Sequence, residues 1–149
     1  MISALVVGCG AIGSEYDRVA TPGAAPRSHA GAYAASPRTA LVGGVDPDPA
    51  ARRRFTERWD VPCHTSLAEA LAAHAPELVS ISTPPGARAA VVDELLAHRV
   101  QAIWIEKPLA ENVAAAEAIV AACALAGVPL QVNFLRRFDH LHKRVADVV

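Results

Sequence analysis

Cysteine is scarce in this sequence: Cys9, Cys63 and Cys123 are the only three. An odd number without metal-ligand spacing argues against a disulfide framework and for a reducing compartment. No metal site is expected. An excess of charge of either sign is also missing. Fourteen basic residues stand against 15 acidic ones, a formal net charge of -1. That removes the electrostatic case for nucleic acid or an anionic membrane surface as partner. No basic stretch precedes the first apolar run, so no secretory signal is visible. No long hydrophobic run goes unbroken. Residues 113–130 come nearest, but Glu117 lies inside them and Gly127 and Pro129 interrupt them, which fits a buried alanine-rich helix. No internal repeat, linker or low-complexity tract is visible. These absences lead to the expectation of a soluble, cytoplasmic protein.

What is present is a dense set of apolar runs. Of 149 residues, 52% are hydrophobic, enough for one packed domain that buries about two-thirds of its unfolded surface. The runs are Ile2–Val7, Ala40–Val45, Leu78–Ser82, Ala102–Ile105 and Leu130–Asn133. They are continuous rather than alternating, as strands buried on both faces of a parallel sheet must be. Helical stretches lie between them. Asp48 and Pro49 read as N-cap and first position of a helix to about Trp59. Ser66 with Glu69 forms a capping box, opening a helix to about Ala73. Further helices are expected over Pro85–His98, over Asn112–Ala126 with Gly127 as its stop, and from about Phe138 to the end. This repetition predicts an α/β fold: a doubly wound, mostly parallel sheet with right-handed crossovers.

The first strand runs into Gly8-Cys9-Gly10-Ala11-Ile12-Gly13. A G-x-G-x-x-G that directly follows a strand and opens a helix is the dinucleotide fingerprint of a Rossmann fold. Gly8 permits the tight turn, Gly10 lets a pyrophosphate approach the backbone, and Gly13 lets helix and strand pack closely. The helix N-terminus, with Ala11 and Ile12, offers N–H groups and partial positive charge to the phosphates. Glycines serving packing alone are the bland alternative. The second strand ends at Asp46, whose carboxylate can accept from adenosine ribose hydroxyls. Its distance from the glycines exceeds the usual ~20 residues. The loop-like stretch Thr21–Pro26 accounts for the excess, as a solvated insert or one that touches substrate. Asp46 would repel a 2′-phosphate, which favours NAD and leaves NADP possible. Arg52, Arg53, Arg54 and Arg58 argue the other way, but as a solvated helix face they are unremarkable.

Three further segments are distinctive: Thr83-Pro84-Pro85 after the third apolar run, Glu106-Lys107-Pro108-Leu109-Ala110 after the fourth, and Phe134-Leu135-Arg136-Arg137-Phe138 after the fifth. With the fingerprint, in this order and spacing, they resemble the Gfo/Idh/MocA family of glucose–fructose oxidoreductase and inositol 2-dehydrogenase. The resemblance covers nearly the whole chain. It implies that residues 1–149 form the family's dinucleotide-binding Rossmann domain, with the second, α+β substrate domain absent or truncated. It further implies that Thr83, Pro84 and Glu106 line the nicotinamide-ribose side of a cleft and that Lys107 is the catalytic lysine. Lysine occurs only at positions 107 and 143. Retaining it at the motif position favours function, because a lysine can tune its pKa and an arginine cannot. One departure is Arg88, at a position where the family often has histidine. His140 and His142 read as helix-surface residues, and His29 as a packed histidine that could face the cleft.

The activity implied is NAD(P)-dependent hydride transfer to or from a hydroxyl or carbonyl carbon, with a sugar or cyclitol as the expected small-molecule substrate. The alternative is a non-catalytic dinucleotide-binding sensor or regulatory module. A methyltransferase, which also places glycines after its first strand, is disfavoured by Gly13 and by the Glu106-Lys107-Pro108 segment. A homo-oligomer is expected, with self-association through Leu141, Val145 and Val148, which follow helical spacing.

Overall fold

The computed structural model describes residues 1–19, 24–137 and 144. Its strands are β1 (Ile2–Val7), β2 (Thr39–Val45), β3 (Cys63–His64), β4 (Leu78–Ile81), β5 (Ala102–Ile105) and β6 (Leu130–Val132). Its α-helices are α1 (His29–Ala35), α2 (Pro49–Trp59), α3 (Leu67–His74), α4 (Arg88–Ala97) and α5 (Val113–Ala126). The strands form one sheet in the order β3-β2-β1-β4-β5-β6, and every pairing is parallel. The chain direction of winding reverses between β1 and β4, and ligands of such sheets bind outside the strands' carboxyl ends at that reversal.

Each face of the sheet has its own core. Leu5, Val7, Val79, Ile81, Ile103 and Ile105 point to one side, where they meet Leu71, Val92, Leu95 and Ile119 of α3, α4 and α5. Ala4 and Val6 point to the other, against Ala30 and Tyr33 of α1 and Phe55 of α2. The two-residue period of a strand separates these sets. It also sends Ser80 to the α1 face with Trp104, a polar group inside an apolar run.

The expected elements appear with small shifts at their ends, and the caps explain the boundaries. The Asp48 carboxylate accepts from Ala50 and Ala51 N–H, and Ser66 Oγ accepts from Glu69 N–H. Gly127 ends α5 in the left-handed region. The helix expected from Pro85 begins instead as a 3-10 turn, Pro85–Ala87, before α4. β3 was not expected, because two residues carry too little periodicity to register. Of the helix expected from Phe138, only Arg144 is described, in helical conformation. His140, His142, Leu141, Val145 and Val148 lie outside the described residues, as do Thr21, Pro22 and Gly23 of the insert.

The fingerprint does not open a regular helix, which corrects the sequence reading. Residues 11–14 form turns, followed by the short 3-10 segment Glu15–Asp17, and α1 begins only at His29. Yet His29 N donates to Ile12 O at 3.0 Å and Ala30 N to Gly13 O at 2.9 Å. The ladder of a helix that should begin at the glycines is therefore taken up by α1, the chain leaving it at Ser14 and returning at Ser28. Asp17 holds the base of this excursion. It is buried and accepts from Arg27 N at 2.8 Å, from Ser28 N at 2.9 Å and from Ser28 Oγ. Burial pushes its carboxyl up, but these bonds and the charge of Arg58 bring it below the ordinary aspartate value. Ser28 Oγ in turn caps α1 at Gly31 N.

Candidate functional site

At the carboxyl end of β1 the chain turns at Gly8, with φ +91°. A Cβ there would also stand 2.9 Å from Ser82 C and Thr83 N. Gly13 packs onto the same turn: its Cβ would lie 1.9 Å from Gly8 O. Gly10 is different, since a Cβ on it would meet nothing within 4 Å. Between these fixed points the N–H groups of Gly10, Ala11, Ile12 and Gly13 have no acceptor among the described residues. An open backbone cradle with several unsatisfied donors fits a phosphate group.

Asp46 follows β2 directly and is tied to the cradle. Its Oδ2 accepts from Cys9 N at 2.8 Å and its Oδ1 from Asp48 N at 2.9 Å. Each oxygen retains a lone pair for a further donor such as a ribose hydroxyl. The arginines that follow are engaged elsewhere. Arg52 Nη1 donates to the carbonyls of Asp46 and Pro47 at 2.9 and 2.8 Å. Arg53 and Arg54 face Glu57 and Glu15, and Arg58 donates to Asp17 O and lies over the Trp59 ring.

Beside the cradle lies a cleft of about 760 Å³, lined among others by Ala11, Ile12, Ser82, Glu106, Lys107 and Asn133. Glu106 and Lys107 lie at the carboxyl end of β5. Glu106 is buried, whereas Lys107 is exposed. Ser82 lines this cleft, and Thr83 and Pro84 are not on its wall. Thr83 instead accepts from Arg88 Nε and Nη2 through its carbonyl, at 3.0 and 2.8 Å, and its Oγ1 is buried without a partner.

Arg88, the departure noted in the sequence, is buried and also donates to Glu106 O and Pro108 O. It ties the loops after β4 and β5 together. Burial lowers its pKa and the neighbouring Glu106 opposes that shift. Its guanidinium supplies several donors in a fixed fork, which suits three carbonyls better than an imidazole would.

Behind Glu106 stand His29, read from the sequence as a packed histidine and buried here, and three residues the sequence did not single out for the site, Tyr33, Ser80 and Asn133. His29 Nε2 lies 3.1 Å from Glu106 Oε1, its Nδ1 lies 2.9 Å from Ser80 Oγ, and Ser80 meets Tyr33 Oη. Asn133 Nδ2 donates to the same Glu106 oxygen. The visible signal was a polar residue within an apolar run, Ser80 in the third and Asn133 ending the fifth.

A doubly wound parallel sheet, a glycine cradle at its reversal point and an acid at the end of β2 define a dinucleotide-binding Rossmann domain. The profile of the oxidoreductase family Gfo/Idh/MocA, NAD-binding Rossmann fold, matches residues 2–134. The chain belongs to this family. YceM of Salmonella typhimurium, named an oxidoreductase, is 35% identical over 105 residues, which are 70% of this chain and 33% of that protein. The chain thus spans about a third of that relative's length. KijD10, a 3-ketoreductase from Actinomadura kijaniata in complex with NADP and TDP-benzene, has a TM-score of 0.80 at 25% identity, covering 98% of this chain and 41% of its own. The WlbA dehydrogenase from Bordetella pertussis, in complex with NADH and UDP-GlcNAcA, has a TM-score of 0.73 at 28% identity, covering 88% and 36%. No helix among the described residues is long and apolar enough to cross a membrane.

Proposed function

We propose that this chain is the cofactor-binding part of an enzyme that moves hydride between NAD(H) and a hydroxyl or carbonyl carbon of a sugar or cyclitol. The observation that carries it is the placing of Lys107, exposed on the wall of the same cleft that Ala11 and Ile12 of the cradle line. The UDP-GlcNAcA complex of WlbA supports the substrate class.

In this reading the N–H groups of Gly10, Ala11, Ile12 and Gly13 surround the pyrophosphate, and Gly8 supplies the turn that aims them. Asp46 takes the adenosine ribose, and Glu106, with Thr83 and Pro84 behind Ser82, defines the nicotinamide-ribose side. Bound NAD supplies the hydride acceptor at its nicotinamide ring. The Lys107 ammonium would donate to the substrate oxygen, stabilise the negative charge that grows on a carbonyl oxygen as hydride adds to its carbon, and give the proton that completes the hydroxyl; in the oxidising direction the neutral lysine would take that proton back from the hydroxyl. The protein acts as a homo-oligomer in the cytoplasm.

In the full-length enzyme Lys107→Ala is expected to lower kcat about 10²–10³-fold, the cost of losing one donor to a developing oxyanion. NADH affinity should stay within about twofold, because Lys107 contacts substrate rather than cofactor. Undiminished turnover in this variant would overturn its role.

NAD is preferred to NADP because the Asp46 carboxylate stands where a 2′-phosphate would fall. Calorimetric titration should show tighter binding of NADH than NADPH, and Asp46→Ala should narrow the gap. Tighter binding of NADPH by the unaltered chain would contradict this.

A further inference from the structure

We infer that His29 is a positioning residue for the cofactor: with Asn133 it occupies one oxygen of Glu106 and turns the other toward the nicotinamide ribose. The inference rests on the functional reading above and extends it to a residue outside the cleft wall.

The hydrogen-bond polarity of the buried network has one consistent solution. The Glu106 carboxylate accepts only, so His29 Nε2 carries the proton in the 3.1 Å contact. Burial lowers the pKa of His29 more than Glu106 raises it, which favours the neutral ring. A neutral ring with its proton on Nε2 has a bare Nδ1, which accepts from Ser80 Oγ at 2.9 Å. Ser80 Oγ is then left to accept from Tyr33 Oη. Every donor in the row Tyr33, Ser80, His29 thus points toward Glu106.

The row is held rigidly. His29, Ser80 and Tyr33 are 2%, 0% and 4% exposed. The Trp104 ring packs against His29, with centroids 4.3 Å apart, and against Tyr33 at 6.0 Å. Ser28 caps the helix that His29 opens, and Asp17 holds Ser28. The two oxygens of Glu106 consequently differ. Oε1 takes two donors, His29 Nε2 and Asn133 Nδ2. Oε2 takes one, Lys107 N at 3.2 Å, and keeps a lone pair for a hydroxyl in the cleft. A ligand hydroxyl therefore meets a carboxylate whose rotation has been stopped beforehand, which lowers the ordering cost of binding.

The test compares a ligand that carries the nicotinamide ribose with one that lacks it. NADH and ADP are titrated calorimetrically into the chain and its variants. His29→Leu should weaken NADH about tenfold, the effect of disordering one hydrogen bond to a charged group, and leave ADP unchanged. His29→Asn, polar but too short to reach Glu106, should behave alike, and it serves should the leucine variant fold poorly. His29→Gln, which can still donate to Glu106, should recover most of the affinity. In a Glu106→Ala background, His29→Leu should have no further effect on NADH, since a double-mutant cycle removes the coupling with the partner. Equal weakening of NADH and ADP, or unchanged NADH affinity in both loss variants, would overturn the role of His29 alone. Failure of the unaltered chain to bind NADH would overturn the functional reading as well.

Discussion

Residues 1–149 by themselves should bind NADH and give no measurable hydride transfer, whatever sugar or cyclitol is offered. The binding half is local. The cradle at Gly10–Gly13, the acid at Asp46 and the buried Glu106 all lie within the chain, and the fold already holds them in place. The substrate half is open: Tyr16, Phe134 and Leu135, at the cleft or its rim, are 49%, 55% and 62% exposed. The chain also covers only 33% of YceM and 41% of KijD10. Holding two reactants in register contributes about 7–11 kcal/mol to a barrier reduction. At 1.36 kcal/mol per decade this is roughly a 10⁵- to 10⁸-fold deficit in rate, enough to hide turnover even with Lys107 in place. Calorimetry with NADH, then absorbance of reduced cofactor over a panel of sugars and cyclitols, checks both halves. Turnover by this chain that saturates with substrate and disappears in Lys107→Ala would refute the expectation. Turnover restored in a longer chain would support it.

The second large effect separates two glycines of one motif. Gly13→Ala should lose cofactor binding and stability together, whereas Gly10→Ala should lose binding alone. A Cβ on Gly13 would stand 1.9 Å from Gly8 O and 2.7 Å from Ser82 Oγ. The first of these is backbone, so no rotamer change relieves it, and the turn at Gly8 must open. Overpacking of this kind costs about 1–3 kcal/mol or more. The upper end corresponds to a drop in Tm of roughly 6–12 °C for a chain of this size. The added methyl on Gly10 meets nothing in the protein and collides only with what the cradle holds. Its Tm should match that of the unaltered chain within a degree or two, with NADH affinity reduced about 100-fold or more. Thermal melts and NADH titrations on both variants decide it. A Gly10→Ala chain that binds NADH normally would show that the cradle is not the phosphate site.

The amino-acid sequence by itself determined the sheet and its parallel pairing. Short continuous apolar runs such as Ile2–Val7, bounded by turn residues and alternating with helical stretches, fit strands covered on both faces, and Gly8, Gly10 and Gly13 directly after the first of them mark one end of the sheet. The caps at Asp48, Ser66 and Gly127 were equally legible, because a cap is a contact between residues only a few positions apart. Tertiary structure decided what depends on distant residues meeting. Nothing near position 88 shows that Arg88 joins the loops after β4 and β5, for its three acceptor carbonyls belong to Thr83, Glu106 and Pro108. The loop-like stretch Thr21–Pro26 was legible, but nothing near position 14 shows that the fingerprint opens only turns and that its helical ladder is taken up at His29, since the rejoining bonds to Ile12 and Gly13 come from residues far along the chain. The pairing of His29 with Glu106 is of the same kind. It exists because the two-residue period of β4 and β5 sends Ser80 and Trp104 to the face that α1 covers, leaving one buried imidazole between a serine and a carboxylate.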